Sequence, residues 1–209
     1  MKSKIILVVL FILVHQAVSQ GLYLDRGKSG AGGFAGYSAS KNDISMVASV
    51  GYSLSGMVDL QYSYGRTITE RIYPHDIAGN LQSVNLAVQL SKQDTLKKLV
   101  SIGINLGCSW VEFKDRGFSY DMGSSNNLLL GINLSKKLMF NSRIGIVWSL
   151  NYSYAFTSHS GISSYGIQVA IINKGSKKLT MVAGPSISAT VDQVTFGLSV
   201  GVIYIPSGE

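Results

Sequence analysis

The chain has 209 residues, a formal net charge of +7 and 14% charged residues, against about 25% in an ordinary soluble domain. Its single cysteine excludes an internal disulfide framework. Its basic residues are scattered through turns rather than gathered on one element, which argues against a nucleic-acid-binding face despite a pI near 9.4.

The start reads as a secretory signal peptide over residues 1–19. "MKSK" supplies positive charge, "IILVVLFILV" (5–14) is the apolar stretch, and "AVS" (17–19) places small residues before a cut at Gln20. The apolar stretch is about half of the ~20 residues that a membrane helix needs. The chain is therefore expected to be exported, with a short N-terminal segment (20–31), one domain (32–205) and a tail (206–209). "GAGGFA" (30–35) fits a G-x-G-x-x-A pattern. No strand precedes it and no helix follows, so it fails as a nucleotide-binding fingerprint.

From there a two-residue period recurs to the end of the chain. "GGFAGYSAS" (32–40) is a first strand of unassigned facing. "ISMVASVGYSL" (44–54), "MVDLQYSYGR" (57–66), "SVNLAVQL" (83–90) and "VSIGINLGCSW" (100–110) alternate large apolar residues with small or uncharged polar ones. "NLLLGINLS" (127–135), "RIGIVWSLNYSYAF" (143–156), "YGIQVAII" (165–172), "LTMVAGPSIS" (179–188) and "VTFGLSVGVIYI" (194–205) repeat the pattern. Alternation of this length predicts strands, ten in all, with eight as the alternative count.

The second face decides the solvent. A soluble sandwich or barrel packs its apolar face inward and shows Lys, Glu and Thr to water. Here the other face is Gly, Ser, Asn, Gln and Ala, with Asp59 the one acid well inside a strand. Such a face suits a narrow lumen, so the apolar face points to lipid and the sheet must close, because lipid satisfies no backbone group. The expectation is an all-β, antiparallel, up-and-down transmembrane β-barrel whose strands are long enough to cross an outer membrane. Asp59, Gln61, Asn105, Asn133, Asn151 and Gln168 face its lumen. Cys108 falls on the apolar face, as a small hydrophobe.

Short links at 53–56, 91–98, 135–143 and 173–178 alternate with longer ones at 67–80 and 112–125 and with 157–161 and 190–193; 40–43 makes a tight first outer loop. That alternation puts both termini on the periplasmic side and exposes loops 67–80 and 112–125 outward. Tyr62, Tyr64, Trp110, Tyr152, Tyr154 and Phe156 form an outer aromatic girdle, with Tyr52, Phe140 and Tyr204 at the inner rim. Lys97, Lys98, Lys136, Lys137, Lys177 and Lys178 form a basic periplasmic rim against anionic headgroups.

At "VGYSLSGMVDLQYSYGR" (50–66) the chain resembles a hairpin of the small bacterial outer-membrane barrels, the porin-like and OmpA-like barrel families. The resemblance is one of pattern over about residues 30–205. It implies export, insertion by the barrel-assembly machinery and residence in the outer membrane of a Gram-negative envelope. Members often end on an aromatic residue; here "VIYI" is followed by "PSGE", which leaves Tyr204 as the candidate signal.

No catalytic constellation emerges. His75, Asp76, Asp115, Asp121 and His159 could meet above the membrane, as in omptin-like proteases, but in no matching spacing. "TSHSG" puts Gly161 where a lipid A deacylase has its serine. Many serines leave a phospholipase-like set open without singling one out. No metal or other cofactor is expected, and no enzyme activity. The reading is a monomeric barrel with a structural or surface-interaction role. The alternative is a narrow channel for small solutes, since ten strands fall between filled eight-stranded and porous sixteen-stranded barrels.

Overall fold

The computed structural model describes residues 23–73, 75–93, 100–115, 121–157 and 161–206, without the side chains of 70–76, 115 and 121–123. The leader 1–19, Lys97, Lys98 and His159 lie outside the described residues, as do the side chains of His75, Asp76, Asp115 and Asp121.

Ten strands follow in chain order: β1 (Gly30–Ala39), β2 (Asp43–Leu54), β3 (Val58–Tyr73), β4 (His75–Ser91), β5 (Ser101–Asp115), β6 (Asp121–Met139), β7 (Ile144–Phe156), β8 (Gly161–Lys174), β9 (Leu179–Thr190) and β10 (Val194–Tyr204). Each pairs antiparallel with its chain neighbours, and β10 pairs back onto β1, so the sheet is a closed barrel. Closure leaves no edge of unpaired backbone.

The alternation of the sequence becomes an inside and an outside. Ile102, Ile104, Leu106 and Trp110 on β5 are exposed, while Ser101 and Ser109 between them are buried. Cys108 is exposed on the same outward face. On β1 the even positions turn inward, so Phe34 and Ser38 enter the barrel and Tyr37 leaves it. The strands are strongly tilted. Followed from partner to partner, Gly30 at the lower end of β1 leads through Ser53, Asp59, Ala87, Asn105, Gly131 and Ser153 to Ser164 and Thr190, at the upper end of β9. A staggered register of this kind is what closure of a barrel demands.

Two expectations change. The described parts of segments 67–80 and 112–125 continue the ladder: Thr67 pairs with Gly79, Thr69 with Ile77, Glu112 with Ser124 and Phe113 with Gly123. Glu112 and Lys114 occupy outward positions there and are exposed, as is Arg66 just before the first segment. Thr67, Leu81, Val111 and Phe113 hold the inward positions and are buried. The interior is also not uniformly small and polar. Towards the loop end it carries Val47, Leu81, Val111, Phe113 and Leu129. Towards the turn end Leu24, Val147, Ala170, Ile172, Val182 and Ile203 form a buried cluster, with Tyr23, Phe34 and Ile205 packed against it.

The segment before β1 accounts for part of that lower cluster. It docks on the β2–β3 turn, where Gly27 N donates to Ser55 O (2.9 Å) and Ser55 N donates to Ser29 Oγ (3.0 Å). Ser55 and Gly56 both have positive φ (53° and 62°), the primed turn that suits strand twist. A Cβ on Gly56 would strike the Asp25 carbonyl, so glycine serves both the turn and the docking.

Candidate functional site

The site is the barrel interior and its inner mouth. At mid-depth the register builds a level ring. Gln61 and Asn85 are direct partners, as are Asn133 and Asn151, Gln168 and Ser186, and Phe34 and Ser49. Elsewhere the ring continues one inward position lower on the next strand, which offsets the climb of the register: Asn105 lies below Gly107, Asn133 below Gly131, Gln168 below Gly166 and Ser199 below Gly197. The same step leads from Ser199 to Phe34 and from Ser49 back to Gln61, so the ring closes. The inward positions directly above and below are Gly, Ser or Ala, apart from Val47 and Asp59.

Carboxamides supply both donors and acceptors, so they can satisfy one another out of bulk water. Asn133 Nδ2 donates to Asn151 Oδ1 (2.6 Å), Gln61 Nε2 to Ser49 Oγ (2.9 Å) and Gln168 Nε2 to Ser199 Oγ (2.9 Å). Of the six residues assigned to the lumen from sequence, Asp59, Gln61, Asn133, Asn151 and Gln168 are buried inside the barrel, and Asn105 is half-buried there.

Tyr23 reaches this ring from below, its hydroxyl donating to Gln168 Oε1 (3.0 Å). Burial pushes its phenol far above the ordinary range. Leu24 fills the apolar cluster beneath. Asp25 then meets three ammonium groups: Lys137 at 2.9 Å, Lys174 at 3.9 Å and Lys28 at 4.0 Å. Burial alone would raise the Asp25 carboxyl, but Lys137, Lys174 and Lys28 together hold it below its usual value.

Lys137 is positioned by its neighbours. The β5 ladder begins at Ser101, opposite Ser135, so among the described residues the β6 backbone at Lys137 has no strand partner on that side. The Gln93 amide stands in for one: Lys137 N donates to Gln93 Oε1 (2.7 Å), and Gln93 Nε2 donates to Lys137 O (2.9 Å). Two cavities, of about 830 Å³ and about 540 Å³, share Tyr23, Leu24, Asp25, Lys137 and Lys174 in their walls. Asp59, Gln89 and Lys92 line the larger one. Burial pushes the Lys92 ammonium down, Lys137 adds to that, and Asp59 and Asp25 oppose it.

The basic rim therefore divides. Lys137 turns inward, against the expectation that it faces headgroups, because it shares the inward parity of Asn133 on β6. Lys136 stands on the outward face opposite Trp148, and Lys177 and Lys178 are exposed in the β8–β9 turn. Tyr23 and Asp25 were not singled out from sequence, and Lys174 counted only as one of the basic residues of the 173–178 link. For Lys174 the signal was present, since it shares the parity of Gln168 on β8.

Outside the barrel, Tyr62, Tyr64, Trp110, Tyr152 and Phe156 are exposed and Tyr154 is half-buried. The Tyr154 and Phe156 rings meet edge to face at 4.7 Å, and Tyr152 and Tyr165 lie 5.2 Å apart. Tyr37, Tyr165 and Phe196 stand at a similar level on neighbouring strands, while Tyr52, Phe140 and Tyr204 lie towards the turn end. Among the described residues no group of His, Cys, Asp and Glu could hold a metal ion.

No protein-family model matches the chain, and no curated protein matches it. Solved structures do. The translocator domain of autotransporter NalP from Neisseria meningitidis superposes with a TM-score of 0.52 at 11% identity, covering 90% of this chain and 92% of that one. An outer membrane channel from Pseudomonas putida F1 gives 0.54 at 10% identity, covering 90% of this chain and 99% of that one. At such identities the likeness is one of fold. Joined to the outward apolar face and the closed ladder, it shows an antiparallel ten-stranded transmembrane β-barrel of the bacterial outer-membrane type.

Proposed function

We propose that the protein is an exported, monomeric outer-membrane barrel whose role is structural or surface-directed, without catalysis or open conduction. One observation carries this reading: Tyr23 and Leu24 enter the inner mouth, Tyr23 bonded to the carboxamide ring and Leu24 in the apolar cluster, with Asp25 at the lysines beneath them. Inward Leu81, Val111 and Phe113 towards the outer end add to the filling. The upper aromatics then serve as the outer girdle, where amphipathic rings favour the lipid–water boundary. The paired strand ends at 67–69 with 77–79 and at 112–113 with 123–124 face outward, and Tyr204 serves as the terminal aromatic for the assembly machinery.

Planar-bilayer recording on the refolded mature chain tests this. Silence is the expected result, and discrete conductance steps would overturn it. A second reading, a narrow solute channel, is favoured by the cavity of about 830 Å³ below the ring. It predicts steps from the intact chain, and larger ones after deletion of residues 20–28. Cell fractionation tests the location: the protein should stay with the outer membrane.

A further inference from the structure

The inner-mouth cavity is unevenly charged. Arg26, Lys92, Lys137 and Lys174 line it against Asp25 and Asp59. Lys28 approaches Asp25 from the other side, on the smaller cavity. Cations gathered in a partly desolvated recess repel one another and draw in an anion. In this structure the Asp25 carboxylate occupies that position, at 2.9 Å from Lys137 and 3.9 Å from Lys174. Its attachment is local. Asp25 belongs to a strap tied to the barrel by a few hydrogen bonds, and its side chain is 47% exposed. The Lys137 backbone is held from behind by the paired Gln93 bonds, so the place of this lysine on β6 does not depend on Asp25. The cavity also offers neutral donors, Gln89, Gln93 and Asn133, to the remaining oxygens of a ligand.

We propose that the inner mouth is a binding site for a small anion carrying a carboxylate or phosphate group, held by Lys137 and Lys174 with help from Lys92, and that Asp25 is its built-in competitor. The site holds whether or not the lumen conducts. Lys92, depressed by burial and by Lys137, gains from any added negative charge.

The test is calorimetric titration of inorganic phosphate, and separately of succinate, into the mature chain refolded in uncharged detergent at constant ionic strength, with chloride as control. The expected result is saturable binding that tightens at least threefold in Asp25→Asn and weakens at least tenfold in Lys137→Gln with Lys174→Gln. Heat-modifiable mobility on gels confirms that each variant is folded. Equal titrations for wild type, Asp25→Asn and the lysine variant would overturn the proposal, as would a signal that chloride matches. Repeating the titration in vesicles separates the two sources of such a group. A headgroup occupant is shown if anionic lipid abolishes phosphate binding and neutral lipid preserves it. A free solute is shown if both vesicles give the same binding.

Discussion

Gly184 has no side chain because there is no room for one. A Cβ there would strike the Val169 carbonyl and lie 2.5 Å from Ala170 Cα, both backbone atoms of β8. Backbone cannot step aside as a flexible side chain does, so overpacking of this kind costs about 1–3 kcal/mol. Gly184→Ala is expected to lower the unfolding free energy of the refolded barrel by that amount, seen as a lower urea midpoint. Gly33→Ala, where the nearest atom is 3.8 Å away, should leave it unchanged. The lipid face gives the complementary case. Leu106 is 43% exposed, between Leu86 and Leu130 on the adjacent strands, and a charge at such depth costs about 2–4 kcal/mol. Leu106→Arg should show that loss in lipid vesicles, whereas a wild-type midpoint would place the residue away from acyl chains. Residue parity was the legible part of the sequence. It put Asn133 and Gln168 inside, and the same rule, carried to Lys137 and Lys174, would have put those lysines inside too. They were read as turn residues because the apolar alternation fades before the strands end.

At the scale of the element, the strap 23–29 responds to acid. Asp25 has a carboxyl held below its ordinary value by Lys137, Lys174 and Lys28 against the opposing effect of burial. A depressed pKa contributes stability above the unfolded value of about 3.9 and loses it as pH falls through the folded one. Hydrogen exchange at Gly27 and Lys28 should therefore be constant from neutral pH down to about 4, after correction for intrinsic rates. It should accelerate below that, and Asp25→Asn should remove the acid step. A step surviving in Asp25→Asn would show that another group holds the strap. The strap itself was not legible: "QGLYLDRGKSG" has no period, and its role depends on a mouth built from β6, β8 and the β2–β3 turn. The upper parts of β3–β4 and β5–β6 are hidden for a related reason: the alternation of large apolar residues stops near Tyr64 and Trp110, while the ladder runs on to Thr69 and Phe113.

For the molecule as a whole, the fold was readable because a second face almost without charge excludes bulk water on that side. Depth was not readable. A period of two states whether a residue points in or out, but its height depends on the stagger between strands, which exists only once pairs are made. The carboxamide ring is the clearest case: Gln61, Asn105 and Gln168 lie far apart in sequence and share a level only through the tilt. A barrel whose backbone is paired all the way round resists detergent as a unit. The unboiled protein is expected to migrate faster than the boiled one on gels, and a single unshifted band would contradict a closed ladder.

Phe34 has a further consequence for how the two chain ends recognise each other. Its partner across the β1–β10 seam is Gly201, where even a methyl group would collide with the ring. A slip of two residues in either direction would set the phenyl against Ser199 or Ile203 instead, which fill that space with side chains of their own. The terminal strands thus carry a lock and its notch, and the seam between them admits one alignment.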